Sequence, residues 1–314
     1  MEAAAYFTRA AVLVVAGKGG VGKSTVAATV ALGAARQGLR VLALELEGRG
    51  ELPRALGVAE PLDATPRDVL VGLPGSVALQ RLRPDDALVE WLSGHALGAV
   101  VRRLRRSGAL EVVAFAVPGI REVLILGKLK SLEREGGFDL IVLDAPATGH
   151  ALTLLTSPSG LAAATRTGPV RRVGSEVAEL LRDPTRCRVL LVTLPRELAV
   201  DETIEAAFEV EERAGVQLAE LVVNQYSPPD DRLLAPLDAE ERAVLGEPLA
   251  SAAEAARAFA TQRALAARGE VERLRAALPL PVLTLPDLDV GRIGPEQLDV
   301  LADVLLAQVG GLRG

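Results

Sequence analysis

The chain has 314 residues, 49% of them apolar and 24% charged, with a net charge of −6 spread along its length, so it has room for a sizeable core and the balance of a globular protein. That charge disfavours a nucleic-acid partner held by bulk electrostatics, and no apolar run reaches the ~18 residues of a membrane span. The lone Cys187 excludes an intrachain disulfide framework and any zinc or iron–sulfur cluster completed by one chain's own cysteines, which fits a cytoplasmic location.

In chain order, the first apolar run, Ala11–Ala16, lacks a preceding basic region and leads into a glycine loop, so it reads as a strand and not as a signal peptide. Lys23–Gln37 has a helical pattern. Arg40–Leu46 and Val77–Leu82 are the next strands, followed by Phe138–Asp144, Arg188–Thr193, Glu220–Asn224 and Val282–Leu285. Glu197–Ala214 and Ser251–Ala277 are long enough for crossover helices. Continuous apolar strands such as Leu140-Ile141-Val142-Leu143 suit a sheet buried on both faces. Strands alternating with helices predict an α/β fold, a doubly wound, mostly parallel sheet with ligands at its carboxyl edge. Two stretches, 84–134 and 151–183, contain no good strand and read as a helical subdomain at that edge, within a single domain of residues 1–314. The Arg102-Arg103-Leu104-Arg105-Arg106 cluster reads as a solvated helix end.

Of the 35 basic residues only four are lysine: Lys18, Lys23, Lys128 and Lys130. A GC-rich genome explains the scarcity, but two of the four lie in one short loop. Gly17-Lys18-Gly19-Gly20-Val21-Gly22-Lys23-Ser24-Thr25 fits G-x-x-x-x-G-K-[ST] in full, with a strand before it and a helix after it. These nine residues form a nucleotide-binding P-loop. The glycines let backbone N–H groups turn toward phosphates, and the helix N-terminus adds its dipole. Lys23 would neutralise β- and γ-phosphate oxygens and Ser24 would ligate Mg²⁺. Asp144, the acid ending an apolar strand, would be the second magnesium residue. The cofactors expected are ATP and Mg²⁺.

Further motifs carry a resemblance. GKGGVGKST, with Lys18 one residue after the first glycine, resembles the deviant Walker A loop of the branch that holds arsenical-pump ATPases, tail-anchored-protein targeting factors, MinD/ParA proteins and nitrogenase iron protein. Asp144-Ala145-Pro146-Ala147-Thr148-Gly149-His150 resembles the D-T-A-P-T-G-H switch of the arsenical-pump and targeting-factor family. Val222-Val223-Asn224-Gln225 resembles its V-V-N-Q, and Pro118-Gly119-Ile120-Arg121-Glu122 its P-G-I-D-E. The resemblance covers nearly the whole chain. It implies a P-loop NTPase fold and an ATPase acting as a dimer, either a homodimer or a heterodimer with a paralogue. Lys18 would reach the partner's nucleotide, Asn224 would read the adenine edge, and Pro286 would lie in the adenine loop. Gly149 would be a switch hinge, with His150 structural or a relay beside it. Glu47 takes the place of the family's water-positioning Asp, with an arm one methylene longer.

Departures narrow the reading. No C-x-x-C is present for an intersubunit zinc site, and one cysteine cannot supply thiolate metalloid sensing or a bridging cluster. The apolar segments Ala109–Val117 and Val123–Leu126 fit ordinary packing. The resemblance adds a second reading, a groove for a hydrophobic client or membrane-protein partner, although Met1 is the only Met. Two other roles stand beside the ATPase: a nucleotide-dependent switch with negligible turnover, and a ParA/MinD-like positioning ATPase. The terminal segment Leu301–Val309 has no Lys or Arg, unlike a basic membrane-binding helix. Lys128 and Lys130, two apart and so on different sides of a helix, read as surface lysines, with an approach of one of them to the nucleotide or the partner subunit as the alternative.

Overall fold

The computed structural model describes residues 3–46, 50–58, 64–88, 119–165, 167–230 and 235–312. Glu47 and residues 89–118, with the Arg102–Arg106 cluster and the Ala109–Val117 segment, lie outside them.

A short helix α1 (Ala3–Phe7) leads into β1 (Val12–Gly17), α2 (Lys23–Arg36), β2 (Arg40–Leu46), α3 (Glu51–Ala55), β3 (Arg67–Leu70) and β4 (Ser76–Leu82). After the undescribed stretch come α4 (Ile120–Glu135), β5 (Leu140–Ala147), α5 (Thr148–Ala164), α6 (Pro169–Arg182), β6 (Cys187–Thr193) and α7 (Glu197–Glu209). A π-helical turn (Val210–Ala214), β7 (Leu218–Val223), α8 (Ala239–Leu245), α9 (Glu247–Ala277), β8 (Val282–Thr284) and α10 (Pro295–Gly311) complete the order.

The eight strands form one sheet in the order β3-β4-β2-β5-β1-β6-β7-β8. Every neighbouring pair is parallel except β3 with β4. From β1, the strands β5, β2 and β4 lie to one side and β6, β7 and β8 to the other. The loop after β1 therefore opens into the crevice where the winding reverses, the usual ligand position of such sheets.

Why the strands are apolar at every position is visible in the two core clusters. Side chains alternate between faces along a strand. Leu42, Leu44, Ile141 and Leu143 join a core that includes α4, α5 and α6 through Leu126, Leu129, Leu154, Leu155, Leu180 and Leu181. Val41, Ala43, Leu140 and Val142 point the other way, into a core with α2 and α10 through Val30, Ala31, Leu301 and Leu305. Burying both faces requires hydrophobic residues at odd and even positions alike.

All seven predicted strands are present, with ends moved by at most three residues. The antiparallel β3 has no counterpart in the sequence reading. Arg67-Asp68-Val69-Leu70 has no period-two pattern, and its pairing with β4 at the sheet edge is a tertiary choice. The predicted helix 197–214 is α-helical only to Glu209 and then turns π-helical, ending at Gly215 in the left-handed region (φ 67°). No described helix is long and apolar enough to cross a membrane. In α10, Leu298, Leu301, Ala302, Leu305 and Val309 are buried in the core shared with α2, and Arg36 pairs with Asp299 at 2.5 Å and Asp303 at 2.7 Å. The apolar face that a membrane-binding tail would present is thus already covered.

The surface reading of the last two lysines fails at Lys130. It is buried on α4 and ion-paired with Glu176 of α6, so it staples two helices of one core. Cys187 opens β6, fully buried, and burial pushes its thiol up to about 12. A thiol so placed offers no thiolate to metals or oxidants at neutral pH.

Candidate nucleotide-binding site

The site forms where β1 stops and α2 starts. Gly17 ends the strand against β6, and a Cβ there would sit 2.3 Å from the Val192 carbonyl oxygen. Gly22 precedes α2 in the left-handed region (φ 87°), and a Cβ would sit 2.2 Å from Asn224 Nδ2. Those two contacts explain the glycines at the ends of the loop; Gly19, Gly20 and Val21 lie between them. Thr25 follows Ser24 in the first turn of α2.

Asn224, just past β7, is buried and donates from Nδ2 to the Val21 carbonyl at 2.9 Å. It therefore braces the loop from below. Replacing Gly22 with alanine is expected to force loop and brace apart and to add strain of about 1–2 kcal/mol from the left-handed conformation. Titration calorimetry should then show nucleotide affinity reduced by more than about tenfold, while circular dichroism keeps its native shape.

Lys23 donates from Nζ to the Lys18 carbonyl at 3.0 Å, so the loop closes on itself. Burial lowers the Lys23 pKa, against the attraction of Asp144 and Glu51. Ser24 donates from Oγ to Asp144 Oδ2 at 2.6 Å. The other carboxylate oxygen, Asp144 Oδ1, is buried with no hydrogen-bond partner among the described residues. Burial pushes Asp144 up to about 6; the Ser24 hydroxyl and Lys23 pull against that, and Glu45 and Glu51 add to it. Glu45 lies opposite Asp144 in the β2–β5 register and is held by Arg81 at 2.9 Å.

A buried carboxylate with an orphaned oxygen, beside a hydroxyl, fits Mg²⁺. That ion takes one or two protein oxygens and completes its shell with water and phosphate. Asp144 and Ser24 are the residues that would hold it.

The sign of the Asp144 shift has a measurable consequence. Its native pKa is about 6 against 3.8 for the free side chain, so between these values the native chain binds more protons than the unfolded chain. Stability contributed by this group falls as pH rises from about 4 to about 6 and is flat above, a loss on the order of 3 kcal/mol. Asp144→Asn is expected to raise the melting temperature of the metal-free protein at pH 8 more than at pH 5. The same substitution should remove the magnesium dependence of ATP binding in calorimetry.

The remaining predicted residues take their places around this centre. Lys18 reaches out of the loop and ion-pairs with Glu202 of α7. Gly149 and His150 lie in the exposed first turn of α5, which starts where β5 ends. The β1–β5 register sets Gly17 opposite Ala147, so this turn neighbours the P-loop. Pro286 follows β8 at the same carboxyl edge as Asn224, where Tyr226 N–H donates to the Leu285 carbonyl. Sequence reasoning gave no role to Glu202, Glu51 or the Glu45–Arg81 pair. A signal existed for the pair: two charges inside otherwise apolar strands call for each other.

A glycine loop between a parallel strand and a helix, with a lysine and a hydroxyl facing the carboxylate of a neighbouring parallel strand, defines a P-loop nucleotide-binding protein. The chain belongs to the CobQ/CobB/MinD/ParA nucleotide binding domain family, whose pattern matches residues 12–265. It is similar to the ATPase BagA of Mycobacterium tuberculosis, 34% identical over 229 residues, covering 68% of this chain and 64% of that protein. It is also similar to the arsenical pump-driving ATPases of Escherichia coli (28% over 219 residues) and Acidiphilium multivorum (28% over 211 residues). Those matches cover 66% of this chain and 33% of each relative. The aligned part thus spans less than two thirds of the mycobacterial relative and a third of the pump ATPases.

Proposed function

We propose that the chain is a Mg-ATP-hydrolysing ATPase that works as a dimer, a homodimer or a pair with a paralogue, in the manner of the arsenical-pump and targeting-factor ATPases. The observation that carries the reading is the Lys23–Ser24–Asp144 constellation, with its orphaned Asp144 oxygen, at the winding reversal of the sheet. In this reading Lys23 and the loop N–H groups bind the β- and γ-phosphates. Asp144 and Ser24 hold Mg²⁺, which when bound neutralises charge on the phosphate oxygens. Asn224 and Pro286 border the base. Glu47 orients the attacking water, and Lys18 of each protomer stabilises charge on the other protomer's transferring phosphoryl group.

Dimer closure on ATP then moves the Gly149–His150 turn, and with it the helical subdomain at 84–134 and 151–183, to which α4, α5 and α6 belong. This subdomain would meet the client or partner, a hydrophobic segment or a membrane protein. The names of the relatives support ATP hydrolysis. Cytoplasmic action fits the composition.

One observation favours the second reading, a nucleotide switch with slow turnover. In the single chain Lys18 is engaged by Glu202, so a lone protomer lacks that charge at the phosphates. Rapid-quench single-turnover hydrolysis and ATP-dependent sedimentation of the purified chain test both. ATP-dependent dimers with turnover that rises with protein concentration support the ATPase. A monomer that binds ATP and releases no phosphate overturns it and leaves the switch.

A further inference from the structure

The Lys18–Glu202 pair joins the phosphate loop to α7, and three observations give it a function. First, Glu202 offers its two carboxylate oxygens unequally: Oε1 accepts from Lys18 Nζ, while Oε2 is buried with no hydrogen-bond partner among the described residues. Glu202 thus holds the ammonium through one oxygen, without the second bond that strengthens a two-oxygen pair. Second, the Lys18 side chain is about half exposed, at 47%, so its ammonium leaves without unpacking a core. Third, the Lys18 carbonyl is the acceptor for Lys23 Nζ. Phosphates that draw Lys23 onto themselves remove this tie from the Lys18 backbone. Both lysines of the loop are therefore held by protein groups that an arriving nucleotide would replace.

The far side of α7 extends the coupling. Asp201, the residue before Glu202, ion-pairs with Arg273 of α9, which also bonds Glu270 at 2.6 Å and donates to the Glu197 carbonyl at 3.0 Å. Neighbouring carboxylates thus tie α7 both to the loop and to α9, the longest described helix.

We propose that Glu202 is a resting-state latch for Lys18. It holds the ammonium within its own protomer when the site is empty of nucleotide and gives it up on ATP binding, and so sets how readily the two protomers close. Glu202 is a positioning residue acting through Lys18. The proposal deepens the dimer reading above and rests on it for the destination of Lys18, but not for the latch itself.

With only four lysines, the protein labelled with ¹³C-lysine gives four side-chain Cε–Hε signals, and Lys18→Arg identifies one of them. In nucleotide-free protein, Glu202→Gln is expected to shift the Lys18 signal and leave those of Lys128 and Lys130 in place. A non-hydrolysable ATP analogue with Mg²⁺ should move the wild-type Lys18 signal away from its latched position. Sedimentation should place the midpoint of analogue-driven dimerisation at least threefold lower in protein concentration for Glu202→Gln than for wild type. A Lys18 signal identical in wild type and Glu202→Gln overturns the latch, as does an unchanged or higher midpoint. A wild-type chain that stays monomeric with the analogue, while its Lys18 signal depends on Glu202 and moves on binding, supports the latch and overturns the dimer reading.

Discussion

Replacing Lys23 with alanine is expected to weaken Mg-ATP binding by about 100-fold or more, with the fold intact. The magnitude follows from what the ammonium does. Lys23 sits at the first residue of α2, partly buried, and the charges of Asp144 and Glu51 attract it. Without it, the phosphates would meet the buried Asp144 carboxylate, with Glu45 and Glu51 acting on it, and no ammonium at the start of α2. Losing one partner of a desolvated charge pair costs about 2–5 kcal/mol, and each 1.4 kcal/mol is a factor of ten. Stability should change little, because Lys23 Nζ gives up a single bond to the Lys18 carbonyl. Titration calorimetry with a non-hydrolysable ATP analogue, together with thermal melts of the nucleotide-free protein, checks both halves. Binding within threefold of wild type would remove the P-loop assignment.

Lys18→Ala is expected to behave differently: hydrolysis falls by about 1,000-fold while ATP affinity changes by less than about threefold. A cation supplied at the transferring phosphoryl group is worth about 10³–10⁵ in rate. It acts on charge that develops in the transition state, so its loss appears in kcat and not in ground-state binding. The Lys18 ammonium is held by Glu202, not by a residue of the Lys23–Ser24–Asp144 centre. In the dimer proposed above, its effect would belong to the partner's site. Mixing Lys18→Ala protein with a binding-defective Lys23→Ala protein separates the two roles, because only one composite site then has both lysines. Equal hydrolysis by Lys18→Ala and wild type at saturating ATP would overturn the cross-protomer role.

Much of this site was legible in the sequence because its chemistry is local. Nine consecutive residues carry the loop, and an acid closing an apolar run stands out, as Asp144 does after Leu140–Leu143, although β5 continues to Ala147. The Ser24–Asp144 bond joins residues 120 positions apart, yet both ends were readable, since each belongs to a motif with one geometry. Glu202 was different. Asp201-Glu202-Thr203 resembles the family's segment before the base site, but nothing in it says that one acid meets the phosphate loop and its neighbour meets α9. Lys130 was misjudged for the same reason. A lysine in Leu129-Lys130-Ser131 reads as surface until α6 is packed against it with Glu176 in reach.

The sequence by itself determined the sheet-and-helix alternation, the parallel two-faced core and the phosphate loop, because each depends on contacts within one strand, one helix or one turn. The tertiary structure alone decided which carboxylate holds Lys18, that Asn224 braces Val21, that Arg81 neutralises Glu45 beside Asp144, and that α10 is spent on α2. Those are choices of register and packing between distant segments. They are settled by which buried polar group finds a partner when the sheet closes; a charge inside an apolar strand can announce that it needs a partner, but not which one it finds.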